Sequence, residues 1–416
     1  MLASLSYGVK DTNQTNFQKG LTPIITLFMC ILIMLFNPMI VIILGALLEF
    51  RGPLNKVLNY VIALSLALSI SNRSVGQMWY ASGGQKANDD AINYLDWYHQ
   101  IEGASYVADL GSYFTKLLSG QEPLWFFMAE IVGVLSDFDE NLLVFLSVAT
   151  PLILIHYSFQ KLSPYFFTIA LLFYALIPEI FHSLYHLWRF VLSASIVYCI
   201  FAISLTQQRI RLSYLIWPVL AHSSGLISAL IFALARFNFF SNPENGFVYR
   251  ICYVFIALAI IILAVILGIN FLQFIGFSKI LYYAELVDTE AFSYSLRHFL
   301  YAGISVGLLL KSNNRLIVLF SLMNLVILSG PLFFPQIGLI LERVLIAVSP
   351  IIVLALAFSI KDRLFYRVVI VLPLIIFYLW FASKADGTLF YQYMGNGEFF
   401  SPMSGLFYNL HSRNYL

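Results

Sequence analysis

Charge is what this sequence has least of. Only 11% of its 416 residues are Asp, Glu, Lys or Arg, against about 25% in ordinary globular domains. The 23 basic and 21 acidic residues leave a formal net charge of +2. No global field attracts a polyanion, which removes nucleic acid as a partner class. Cysteine is scarce too. Cys30, Cys199 and Cys252 each lie inside an apolar run; such an odd, buried set argues against a disulfide framework or a zinc site and reads as small core residues. The polar start MLASLSYGVKDTNQTNFQKG lacks the short apolar core and small-residue cleavage site of a signal peptide. The first apolar run, from about Leu21, is expected to serve as the insertion signal and to stay. There is no G-x-x-x-x-G-K-[ST] phosphate loop and no G-x-S-x-G elbow. No internal repeat is visible, which weakens an inverted-repeat transporter reading.

Apolar surface is what the chain has in excess. Hydrophobic residues make up 60% of it and mean hydropathy is +0.85. One globule cannot hide so much, whereas a bilayer can, and apolar runs of about 20 residues recur. A soluble enzyme and a disordered protein are thereby ruled out, and the expected fold class is an all-α polytopic integral membrane protein. The 38 Phe and 25 Tyr suit lipid contact, interfacial belts and stacking on sugars.

Apolar length places spans at 22–49, 57–72, 141–160, 164–181, 186–205, 248–272, 294–310, 315–334, 337–360 and 366–383. Segment 123–136 is too short for a comfortable span and fits an interfacial or re-entrant helix. Segment 212–235 is ambiguous, with Arg209 and Arg211 before it and Arg236 after it. The basic loops 51–56, Lys161, 209–211, 311–315 and 361–367 all fall on one side if neither segment crosses. The second is then a hairpin with its apex at His222-Ser223-Ser224-Gly225. Ten spans follow, with eleven or twelve if either segment crosses. The chain is then one membrane-embedded domain, 1–416, with both termini, the large segment 74–140 and the tail 384–416 on its outer side.

The strongest local pattern runs from Pro178 to Arg189. Pro178 can break one helix and start the next. On a continuous helix, Glu179, His182, His186 and Arg189 fall within about 80° of arc, a stripe at the outer mouth of a span. Ionisable groups at membrane depth are expensive and point to function; a structural ion pair is the plainer reading. His182 and His186 have zinc-compatible spacing, but no third ligand is placed, and no metal is expected. A second pattern places Asp90, Tyr94 and Tyr98 at four-residue spacing on one helical face, where a carboxylate and two phenols could hold a sugar. An acidic helix start with interfacial tyrosines is the alternative. His222 lies between two apolar halves and needs a partner. Glu122 precedes Pro123 at the start of the short helix and is either a cap or functional. Arg343 lies within a long span, where Arg favours a phosphate or carboxylate ligand. Asp137-Phe138-Asp139 is similar to a metal-binding Asp-x-Asp, yet it precedes a span and reads as a cap and turn.

Several of these pieces occur together in one family. Over roughly residues 22–360 the chain resembles the Wzy-type bacterial repeat-unit polymerases, in their EpsG-like branch for O-antigen and exopolysaccharide. The resemblance rests on Asp90 with Tyr94, on Glu122-Pro123-Leu124 opening a short helix, on Arg189 starting a long span, and on Ala221-His222-Ser223-Ser224 after a basic turn. Arg343 fits the family's late Arg. Phe190 stands where the family often has Gln, and Asn88-Asp89 where it has Gly before the Asp.

The resemblance implies a fold like the GT-C-like membrane glycosyltransferases. It implies a metal-independent enzyme without cofactor in the bacterial inner membrane, its site facing the periplasm. The enzyme would move a growing glycan from undecaprenyl diphosphate to a lipid-linked repeat unit. Arg189 would bind the diphosphate, with Arg343 second. His186, His222, Asp90 and Glu122 compete for base and sugar-positioning roles, and Tyr94, Tyr98 and His182 would contact substrate. Implied partners are the lipid-linked oligosaccharides, membrane lipids, a chain-length regulator and a flippase. An O-antigen ligase is the rival of the same chemistry. A secondary transporter or lipid flippase is the rival of another class.

Overall fold

The computed structural model describes residues 38–50, 52–71, 90–104, 123–177, 179–209, 211–222, 224–236, 296–333 and 338–359, with Phe28. The expected spans 248–272 and 366–383, the first half of 22–49, the tail 384–416 and Glu122 lie outside these residues. So do the side chains of Asp90, Glu179, His182, His186 and Arg343.

Among the described residues the structure is helical, without strands. The helices are α1 Pro38–Leu48, α2 Lys56–Ser71, α3 Asp90–Ala104, α4 Pro123–Ser136, α5 Glu140–Leu162, α6 Phe166–Leu176 and α7 Glu179–His186. They continue as α8 Trp188–Gln207, a 3-10 turn Leu212–Leu215, α9 Ile216–Ala221, α10 Gly225–Arg236, α11 Leu296–Lys311, α12 Arg315–Phe333 and α13 Gly338–Ser359. Two of them, α5 with 23 residues and α8 with 20, are long and apolar enough to cross a membrane. At the usual rise they reach about 34 and 30 Å, the thickness of a bilayer's hydrocarbon core.

The helix ends follow from local chemistry. Asp139 caps α5 by accepting the Asn141 N–H at 2.9 Å. Glu140 in the first turn and Lys161 in the last complement the helix dipole. The preceding turn is tight: Asp137 and Phe138 have φ of 55° and 58°, and the Phe138 ring presses on Gly133, where a Cβ would lie 2.6 Å from it. The residues 137–139 thus form the cap and turn expected of them.

Helix α6 is buried along its whole length, which marks a central position. It is fastened at both ends. Glu49, 1% exposed, accepts the Phe167 N–H at 2.9 Å, the Thr168 N–H at 2.9 Å and the Thr168 hydroxyl at 2.6 Å. A carboxylate from the end of α1 thereby meets the orphan donors and positive dipole end of α6. Gly45 permits the approach, since a Cβ there would lie 2.7 Å from the Phe167 ring. At the other end the Tyr301 hydroxyl of α11 donates to the Leu176 carbonyl.

Buried polar groups tie the helices together in pairs and triplets. His156 Nδ1 donates to Asn59 Oδ1 at 2.7 Å, Asn59 Nδ2 donates to the His156 carbonyl at 2.7 Å, and Tyr174 donates to His156 Nε2 at 2.9 Å. This joins α2, α5 and α6. Asn324 Nδ2 donates to Ser305 and Asn324 Oδ1 accepts from Ser349, each at 2.9 Å, joining α11, α12 and α13. Away from water every such group needs a partner, and these are satisfied by one another.

The described basic turns gather at one end of the bundle. Lys56 and Lys161 lie where α6 begins, fixed there by the short connections and by Glu49 on Phe167. Phe201, late in α8, meets Phe320, early in α12, at 5.4 Å, which brings Arg209, Lys311 and Arg315 to the same end. Phe232, late in α10, also meets Phe320, at 5.3 Å. The 3-10 turn, α9 and α10 therefore leave that end and return to it, reversing at His222–Ser224. The reversal is sited where the apex was expected. The expected helix 164–181 is interrupted: α6 stops at Leu176 and α7 starts at Glu179.

Candidate functional site

At the opposite end, four separated stretches of chain meet around Arg189. Leu187 adopts φ −112° and ψ 53°, so α7 ends at His186 and α8 begins anew at Trp188. The expectation of one continuous stripe from Glu179 to Arg189 is corrected here. His182 and His186 belong to α7, whereas Arg189 belongs to the first turn of α8. The break lets Trp188, 1% exposed, turn into the core beside Trp125, whose ring centroid is 6.4 Å away.

The Arg189 guanidinium lies 4.7 Å from the ring centroid of Tyr94 and 4.7 Å from that of Trp97. Both rings come from α3, one turn apart. A cation over two aromatic faces is attracted by both quadrupoles, each contact worth about 0.5–2 kcal/mol depending on desolvation. Tyr94 is itself packed against Trp125 at 5.1 Å and Trp188 at 5.4 Å, and Trp97 against Phe126 at 5.5 Å. Trp125 Nε1 donates to Ser147 on α5 at 3.4 Å, anchoring the short helix α4. Arg189 thus sits on a wall of rings from α3, α4 and α8, with its own position partly buried.

Asp90 is the first residue of α3, on the face that carries Tyr94 and Tyr98. Its two tyrosines are turned inward: Tyr94 is 2% exposed and Tyr98 0%, the latter against Phe138 at 5.2 Å. Among the described side chains of α3, the exposed ones are Asn93, Asp96, His99 and Gln100. His99 pairs with Glu140 at 2.5 Å, linking α3 to the start of α5. Tyr94 therefore lies beneath the Arg189 guanidinium and Tyr98 against Phe138, both rings buried.

His222 reaches the same region from the chain reversal. Its ring meets Phe190, the neighbour of Arg189, edge-on at 5.5 Å, and α9 packs against α4. Glu122 immediately precedes α4, outside the described residues. The backbone of Arg343 lies early in α13, which touches α8 where the Tyr198 hydroxyl donates to the Ile346 carbonyl at 3.2 Å.

Trp97 belongs to the aromatic and acidic stretch 79–109 expected to line a sugar groove, but no contact with Arg189 was expected of it, and Trp125 and Trp188 were not singled out. The signal for Trp97 was its place three residues beyond Tyr94, on the adjoining helical row. Glu49, Asn59 and His156 were passed over too, although polar groups inside apolar runs are a signal in themselves. Against known proteins, the chain matches no family model, no curated protein and no solved structure.

Proposed function

We propose that this chain is a multi-pass membrane glycosyltransferase that polymerises lipid-linked glycan repeat units, with about ten spans and its site on the outer face. The observation that carries the reading is the Arg189 guanidinium, held at 4.7 Å on two rings, at the end of the bundle away from the basic turns. The positive-inside rule puts the basic end in the cytoplasm. Arg189 then faces the periplasmic side, where a lipid diphosphate would present its charge.

In the proposed reaction the acceptor hydroxyl oxygen attacks the donor's anomeric carbon. A new C–O bond forms, the bond to the diphosphate oxygen breaks, and undecaprenyl diphosphate leaves with the electron pair. The hydroxyl proton passes to a base, for which Asp90, Glu122, His186 and His222 are the candidates. Negative charge grows on the leaving group, and an Arg fork stabilises it through paired N–H donors. The aromatic wall holds the fork in place, and its partly exposed rings, Trp97 and Phe126, are the ones open to a sugar C–H face.

The test is polymerisation by purified protein supplied with lipid-linked repeat units, scored as glycan chain length per amount of folded protein. Wild type should extend chains. Arg189→Ala should lose about 10²-fold or more, and Arg189→Lys should remain impaired because a point charge replaces a planar fork. Full activity of Arg189→Ala would remove the leaving-group role. Loss of wild-type activity in EDTA, restored by a divalent ion, would transfer that role to a metal and return His182 and His186 to consideration as ligands.

A further inference from the structure

His222 ends α9 in extended backbone, with φ −162° and ψ 143°. Its Nδ1 accepts the Ser224 backbone N–H at 3.1 Å and lies 2.8 Å from the Ser224 hydroxyl. A backbone N–H can only donate, so the Nδ1 lone pair is engaged. In neutral imidazole the ring proton then resides on Nε2. A general base needs the opposite arrangement, with a nitrogen lone pair directed at the reacting hydroxyl.

The turn that fixes this tautomer is fastened to the helix of Arg189. Ser193 Oγ, on α8, donates to the Pro218 carbonyl at 2.8 Å. Gly225 sits so close that a Cβ would lie 2.4 Å from the Pro218 carbonyl carbon and 2.7 Å from Ser193 Oγ. Ser193 follows Arg189 by one helical turn and so shares its face of α8. With the His222 ring edge-on to Phe190, the imidazole is tied to the first two turns of α8.

Resting on the polymerase reading above, we propose that His222 donates a hydrogen bond from Nε2–H to a phosphate oxygen of the same lipid diphosphate that Arg189 binds, and that it is not the base. A phosphate oxygen only accepts, so Arg189 and the Nε2–H tautomer form a donor-only pair matched to it. The base is then one of Asp90, Glu122 and His186.

Two substitutions separate the roles. Asn at this position can replace Nδ1 as acceptor of the Ser224 N–H but does not reach the Nε2 position. Gln places an amide N–H near Nε2 and can donate but cannot take up a proton. Initial polymerisation rates of purified wild type, His222→Asn, His222→Gln and His222→Ala would be measured on lipid-linked repeat units, normalised to folded protein, with thermal unfolding recorded in parallel. His222→Gln should keep its rate within about tenfold of wild type. His222→Asn should unfold like wild type yet, with His222→Ala, lose about 10²-fold in kcat, the size typical of one lost charge-stabilising donor. Equal loss in His222→Gln and His222→Ala would overturn the proposal in favour of a base. Full activity of His222→Asn would overturn it in favour of a purely structural turn. A wild type inactive on these substrates would instead remove the polymerase reading, and this proposal with it.

Discussion

Arg189 owes its place to its neighbours. A guanidinium is weakly hydrated and planar, so it stacks on aromatic faces more readily than an ammonium does. Tyr94 and Trp97 take it at 4.7 Å each, and Trp125 and Trp188 close in behind Tyr94. Trp97 is thus a positioning residue under the proposed function. Trp97→Leu should lower the polymerisation rate per folded protein about 5- to 30-fold, the equivalent of 1–2 kcal/mol, whereas Trp97→Phe should recover most of it. Tyr98 makes the contrast. Its buried ring packs on Phe138, so Tyr98→Leu should lower the unfolding temperature and leave the rate per folded molecule near wild type. At this scale the sequence pointed to Arg189, Asp90, Tyr94 and His222 through residue type and spacing. It did not point to Trp125, because the neighbour of a ring across three helices leaves no trace in local periodicity.

At the scale of the element, spans read from apolar length and observed helices agree where chain-local forces set the ends. The limits of α4 at Pro123 and Ser136 were legible, and so was the start of α5 at its Asp139 cap. The break at Leu187 was not. Nothing in Tyr185-His186-Leu187-Trp188 forbids a continuous helix, and the packing of Trp188 against Tyr94 and Trp125 decides it. The junction of α1 with α6 is another tertiary decision. Glu49 reads as a charge at the end of a span, yet it caps a helix 118 residues away. Glu49→Ala would leave two buried amides of α6 without their acceptor. It should destabilise the protein by about 3 kcal/mol, since hydrogen bonds to charged groups are worth about 1.5–3 kcal/mol each. Equilibrium unfolding in detergent would measure it, with Glu49→Gln expected to be milder.

At the scale of the whole molecule, charge among the described residues is largely sorted by end, with Glu49 the acidic exception at the basic end. Lys56, Lys161, Arg209, Lys311 and Arg315 lie together, and Asp96, Asp137, Asp139 and Glu140 lie at the end that carries Arg189. Under the proposed topology the first end is cytoplasmic. In a background without native cysteines, Asn93→Cys and Gln100→Cys, both exposed on α3, should react with an impermeant thiol reagent on intact cells. Asn313→Cys, in the turn between α11 and α12, should react only after permeabilisation. The reverse pattern would invert the topology.

Local chemistry along the chain was enough to give the helical class, two helices long and apolar enough to cross a bilayer, the short helix at 123–136 and the reversal near His222. Each of these is set by properties of neighbouring residues: apolar run length, caps, and the charges that flank a segment. It took packing between distant parts of the chain to turn the tyrosines of α3 inward, to rest Arg189 on Tyr94 and Trp97, to cap α6 with Glu49 and to hold the turn that engages the Nδ1 lone pair of His222. Those outcomes depend on which helices become neighbours, where buried polar groups must find partners among whatever packing brings near. No periodicity along one segment encodes that choice.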